Sequence, residues 1–99
     1  MEQKKRSRIG KTERRVMLLE AAIKLSQSRQ YQTLKMDELA KAGGCEKPVV
    51  YRSIGKRADV IRAIEDYAIE QGAAHPGALI VLKQMAAIGN EQAIKITME

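Results

Sequence analysis

The stretch Met36-Asp-Glu-Leu-Ala-Lys-Ala-Gly-Gly-Cys-Glu-Lys-Pro-Val-Val-Tyr-Arg-Ser-Ile-Gly-Lys-Arg57 decides how this chain folds. Met36, Leu39 and Ala40 recur at helical spacing, and Asp37 and Glu38 stand in the first turn, where the helix dipole favours acids. Gly43-Gly44 breaks that helix, and Gly44 supplies the positive φ of a tight turn. A second short helix starts at about Glu46 and runs to Ser53, with Pro48 in its first turn, where a missing N–H costs nothing. Ala40 is small where the two helices must cross, Cys45 is a small apolar plug, and Val50 and Ile54 are the anchors of the second helix. Two short helices flanking a tight turn form the helix-turn-helix pattern. The second helix then exposes Lys47, Pro48, Val49, Tyr51, Arg52 and Ser53.

Working outward, residues 12–29 read as a helix capped by Thr12, with Val16, Leu19, Ile23 and Leu18, Ala22, Leu25 at helical spacing. Tyr31 and Leu34 plug the short connection that follows into the core. A fourth helix runs from about Lys56 to Gln71, with Val60, Ile61, Ile64 and Tyr67 or Ala68 inward. Residues 72–77 form a linker. Residues 78–88 form a fifth helix that is apolar nearly all round, and residues 91–99 read as a short or frayed last helix. A small domain does not cover every side of such a fifth helix, so Leu79, Leu82, Met85 and Ile88 are expected to meet a second copy of the chain.

The net charge is +6 over 99 residues, and it is unevenly placed. Residues 1–15 carry seven Lys and Arg against two Glu, while the remainder is nearly balanced. Residues 1–11 therefore read as a basic flexible arm, with Lys4, Lys5, Arg6 and Arg8 facing a polyanion. The single Cys excludes an intrachain disulfide and a cysteine-rich metal site. His75 is the single histidine and reads as a linker residue. Glu65, Asp66 and Glu70 read as a solvated helix face, and the methionines as core filler. No nucleophile–base pair, phosphate loop or metal cluster assembles from these residues, so neither enzyme activity nor a metal or cofactor is expected. The longest apolar run is too short to span a bilayer. The N-terminus lacks a signal peptide's apolar core, so a cytoplasmic protein is expected.

From Arg15 to Ile64 the chain resembles the DNA-binding region of the TetR family of bacterial transcriptional repressors. The pieces that carry the resemblance are Leu18-Leu-Glu-Ala-Ala-Ile-Lys-Leu25, Tyr31-Gln-Thr-Leu34, Met36-Asp-Glu-Leu-Ala-Lys-Ala-Gly-Gly44, Glu46-Lys-Pro-Val-Val-Tyr-Arg52 and the fourth-helix start at Arg57. They follow in order without gaps over about half the chain. The resemblance implies an all-α fold with a TetR-like three-helix helix-turn-helix domain and a fourth helix over residues 12–71, and the apolar tail beyond it reads as a linker and helical dimerisation segment over residues 72–99. It implies that Lys47, Pro48 and Val49 face base edges, that Tyr51 reaches a phosphate and that Arg52 contacts base or backbone. Arg57 matches the family's phosphate-binding lysine, with Lys56 beside it. Lys35 stands where a helix-capping Thr or Ser is usual and brings a cation to the DNA backbone. Glu46 stands at a capping position next to the phosphates. Gln30 replaces a usual glycine and is expected to strain the end of the first helix, while Ser26 and Ile54 replace aromatics.

The residue chemistry agrees with those roles. Lys47 and Arg52 lie five apart on one short helix, within reach of guanine acceptors or phosphates, and Val49 suits a thymine methyl. The expected function is a homodimeric, sequence-specific repressor on a palindromic operator in double-stranded DNA. The alternatives are a sequence-tolerant architectural DNA-binding protein and a helical module that joins a larger regulator. The family's long ligand-binding domain has no counterpart in the roughly 30 residues after the fourth helix, so no inducer site of the usual kind is expected.

Overall fold

The structure, a computed structural model, describes residues 10–98, with Ala73 described by its backbone alone. Six α-helices follow one another among these residues: α1 (Lys11–Leu25), α2 (Met36–Ala42), α3 (Lys47–Ser53), α4 (Arg57–Gln71), α5 (Pro76–Ala87) and α6 (Glu91–Met98). Short 3-10 turns lie at Tyr31–Thr33 and Gly72–Ala74. The all-helical expectation holds among the described residues. No helix there is long and apolar enough to cross a membrane.

Several helix starts share one device. The acid at the third helical position turns back and accepts a hydrogen bond from the backbone N–H just before the helix. Glu13 does this for Gly10 at 3.2 Å, Glu38 for Lys35 at 3.0 Å, and Asp59 for Lys56 at 3.0 Å. The cap of α1 is therefore Gly10 and not Thr12. Glu46 precedes α3 but its carboxylate makes no capping bond, so α3 relies on Pro48 in its first turn. Gln30 adopts φ −71° and ψ 134°, ordinary extended backbone, and the expected strain is absent. Gly44 takes φ +72°, as the turn between α2 and α3 requires.

The core is one continuous cluster. Leu18, Leu19, Ala22 and Ile23 form the buried stripe of α1, and around it gather Tyr31, Leu34, Leu39, Ala40, Val50, Val60, Ile64 and Ala68. Val16 lies outside this stripe and is exposed. Ser26 is fully buried and satisfied, its hydroxyl donating to the Ala22 carbonyl at 2.7 Å. The connection between α1 and α2 is pinned by distant side chains. The Gln84 amide on α5 accepts from the Tyr31 N–H at 2.9 Å and donates to the carbonyls of Ser26 and Arg29 at 2.9 and 3.1 Å.

The C-terminal helices depart from expectation. Leu82 and Met85, expected at a dimer contact, are fully buried within their own chain. The reason is α6, which turns back at 88–90 and packs along α5, while α4 and α1 hold other faces. Ala93, small and fully buried, lets α6 approach closely, and Ile96 packs beside it. Leu79 and Ile80 are left half-buried, and Ile88 is 54% exposed. Residues 72–77 are not a slack linker either. His75 caps α5, its Nδ1 accepting from the Ala78 N–H at 3.2 Å, and Pro76 opens the helix. Gly77 lies against α1 so closely that a Cβ there would stand 2.6 Å from Ile23 Cγ2.

Because Leu82 fills the core of a single chain, Leu82→Ala should lower stability in urea by about 2–5 kcal/mol. That loss should be the same at low and high protein concentration. A loss that grows on dilution would instead place Leu82 between subunits.

Candidate nucleic-acid interface

Helix α3 has seven residues, too few to persist unaided in water. It is held because α2 and α1 pack against it and because Val50 is fully buried in the core. Ile54 and Cys45 pack against the same cluster. With Val50 turned inward, Lys47, Pro48, Tyr51 and Arg52 are exposed, and Val49 and Ser53 are half-buried. The tyrosine is 45% exposed. Four of the five expected contact residues of α3 therefore stand in solvent, and Val49 lies partly beneath them.

Lys47 does not stand alone. Its ammonium lies 3.1 Å from the Asp37 carboxylate on α2, across the turn. The hydrogen bond and charge of Asp37 hold the ammonium protonated beyond its usual range. Both side chains are well exposed, and such pairs hold weakly against a competing phosphate or base edge.

Arg57 is engaged in a way the sequence did not suggest. Its guanidinium donates to the carbonyls of Leu34 and Gln32, tying the start of α4 to the segment that leads into α2. Lys35, Lys56 and Arg57 thus come from two helix starts stitched to each other, with Lys35 and Lys56 exposed. Arg57 therefore has a structural duty. Arg29 has a similar one, reaching the Glu38 carboxylate at 2.5 Å and the Thr33 carbonyl at 3.1 Å. The hydrogen bonds from the Lys35 N–H and Arg29 outweigh a small desolvation effect and hold Glu38 below its ordinary range. Glu46 is exposed. The expected contacts of Lys4, Lys5, Arg6 and Arg8 lie outside the described residues.

Sequence reasoning missed Lys11 and Arg14. Both line a cleft with Val49, Arg52 and Ser53 of α3. Arg14 also donates to the Gly43 carbonyl at 3.2 Å, linking α1 to the turn. In the sequence the basic arm ends at residue 11 and Arg14 falls in the first helix, but Lys11 already belongs to α1, and nothing local shows that the start of α1 lies beside α3.

Two tyrosine–carboxylate pairs tie α4 to the turn at Tyr31 and to α1. The Tyr31 hydroxyl donates to Glu65 at 2.5 Å, so Glu65 is more than a solvated face. The Tyr67 hydroxyl donates to Glu20, which also receives the His75 Nε2 at 3.0 Å. His75 Nδ1 accepts the Ala78 N–H, so a neutral ring carries its proton on Nε2 and donates it to Glu20. Partial burial raises the Glu20 pKa, yet the bonds from Tyr67 and His75 prevail and hold it below its ordinary range. Burial and the neighbouring carboxylate push Tyr67 up to about 12 and raise Tyr31 further. Beside this cluster an open groove of about 500 Å³ runs along α1, lined by Val16, Met17, Lys24 and Gln27. Among the described residues no group of three His, Cys, Asp or Glu is placed to hold a metal ion.

Comparison with protein-family models, with curated proteins and with solved structures found no match.

Tyr31 and Tyr67 bind their protons more tightly in the folded chain than in the unfolded one. Their contribution to stability is complete below the ordinary phenol value of 10.0; that of Tyr67 is lost as pH rises from there toward about 12, and that of Tyr31 is lost at still higher pH. In urea titrations across that window, Tyr67→Phe should lose less stability than the parent chain. An equal alkaline loss in both would show that Tyr67 does not carry this raised pKa.

Proposed function

We propose that this chain is a sequence-specific double-stranded DNA-binding protein that represses transcription as a homodimer on a palindromic operator. The observation that carries the reading is the placement of α3. Val50 anchors it, and Lys47, Pro48, Tyr51 and Arg52 stand exposed after a tight turn. A helix held in that way fits the major groove, where Lys and Arg pair with guanine acceptors and backbone contacts set the register. The stitched helix starts at Lys35, Lys56 and Arg57 supply further cations for phosphates. The resemblance to TetR repressors, carried by residues 15–64, adds repression to DNA binding.

Dimerisation follows from the same reading, since two recognition helices about 34 Å apart read the two halves of a palindrome. With Leu82 and Met85 committed to the intrachain core, the apolar positions of α5 and α6 that a second copy could still meet include Leu79, Ile80, Ile88 and Met98, and α1 adds the exposed Val16 and Met17.

The test is selection of bound duplexes from a random pool, followed by fluorescence anisotropy with the selected and a random duplex. The reading predicts preference for the selected site by roughly 10³-fold. Lys47→Ala should weaken binding to the selected site by about ten-fold or more and relax preference at one base pair in each half-site. Equal loss on selected and random DNA would make Lys47 a phosphate contact instead. No enrichment from the pool, with equal affinity for all duplexes, would replace this reading with the architectural one.

A further inference from the structure

We infer that the cleft between α1 and α3 is a seat for one phosphodiester of the DNA backbone, formed by Lys11, Arg14 and Arg52. The inference rests on the DNA-binding reading and adds α1 to it as a second grip beside the recognition helix.

The cleft has a volume of about 420 Å³ and is lined by Lys11, Arg14, Val49, Arg52 and Ser53. Three of these five residues are cations and none is an acid. Like charges gathered around a concavity repel one another, and an anion entering it relieves that repulsion. The two helices bring different chemistry. Lys11 contributes a compact ammonium on a flexible stem, while the two arginines contribute planar forks suited to phosphate oxygens. The Ser53 hydroxyl adds a neutral hydrogen-bond donor.

Arg14 is held in place before any ligand arrives, because its Nη1 donates to the Gly43 carbonyl at 3.2 Å. Gly43 ends α2 and begins the turn into α3. One guanidinium therefore touches both the cleft and the turn that sets the pose of α3. Seating a phosphate there would fix the distance between the DNA backbone and the base-facing side of α3. The occupant is a backbone phosphate rather than a free anion because Arg52 belongs to the same short helix as Lys47. A strand whose bases meet that helix must run its phosphates along the flanks of the helix.

The intact chain is titrated into selected and random duplexes between about 50 and 200 mM salt. Lys11→Gln is the probe, because Lys11 is exposed and makes none of the hydrogen bonds described above. Lys83→Gln, on an exposed position of α5, removes the same charge elsewhere and serves as the control. Lys11→Gln should weaken both duplexes by the same factor and reduce the slope of log K against log salt by about 0.9 per protomer. Lys83→Gln should leave the slope unchanged. A neutral methylphosphonate placed at each backbone position in turn should reveal one that weakens the parent chain but leaves Lys11→Gln unaffected.

Equal slopes for the two variants would overturn the seat while leaving the DNA reading intact. So would a response of Lys11 and Arg14 to inorganic phosphate together with unchanged duplex affinity in Lys11→Gln, which would assign the cleft to a free anion. Absence of duplex binding by the parent chain would overturn the DNA reading and the seat with it.

Discussion

A seven-residue helix does not hold itself together in water, so everything proposed for α3 depends on the burial of Val50. That side chain is fully enclosed by the cluster that α1 and α2 build, and it fixes which way the rest of the helix faces. With one face committed to the core, the charged and aromatic residues of α3 have solvent as their neighbour. Rotating the helix by even part of a turn would bury Tyr51 or Arg52 and strip Val50 of its contacts. Apolar burial thus sets the orientation of a polar surface. The Gly44 turn and the Arg14 bond to Gly43 then limit how far the helix can swing.

The second half of the chain serves the first. α5 is apolar on most sides, yet α4, α1 and α6 take up those sides within a single chain. Its polar residue Gln84 reaches the backbone of the connection between α1 and α2, and His75 at its start meets Glu20 on α1. These contacts join segments more than 50 residues apart. Helix α5, itself covered by α6, therefore braces α1, and α1 in turn supports α3. The support of α3 lies in the same continuous core as α5, so changes at α5 have a short physical route to α3.

Much of this architecture was legible in the sequence, and the exceptions share a cause. The span of α2, the positive φ at Gly44 and the burial of Tyr31, Leu34 and Val50 follow from local pattern and turn chemistry. What escaped were contacts between residues far apart in the chain. Nothing near Arg57 announces that it will hold the carbonyls of Gln32 and Leu34, and nothing near His75 announces a cap that also meets Glu20. Leu82 and Met85 read as surplus apolar surface because the last helix was too weakly patterned to be counted as their cover. Val16 was placed inward by periodicity alone, although the core ends before it along α1. At the candidate interface, the residues of α3 were legible from spacing, whereas Lys11 and Arg14 joined them only through the packing of α1 across α3. The Lys47–Asp37 pair lies across a turn and was equally hidden.

The most direct measurement is a map of backbone amide chemical-shift changes on adding a selected duplex to the isotopically labelled chain. The account predicts that the changes concentrate in residues 46–53, with a second group at the start of α1 and smaller ones at the starts of α2 and α4. Helices α5 and α6 should remain nearly silent on their outer faces, apart from changes due to subunit pairing. Changes centred on α5 and α6, with α3 unperturbed, would contradict the account.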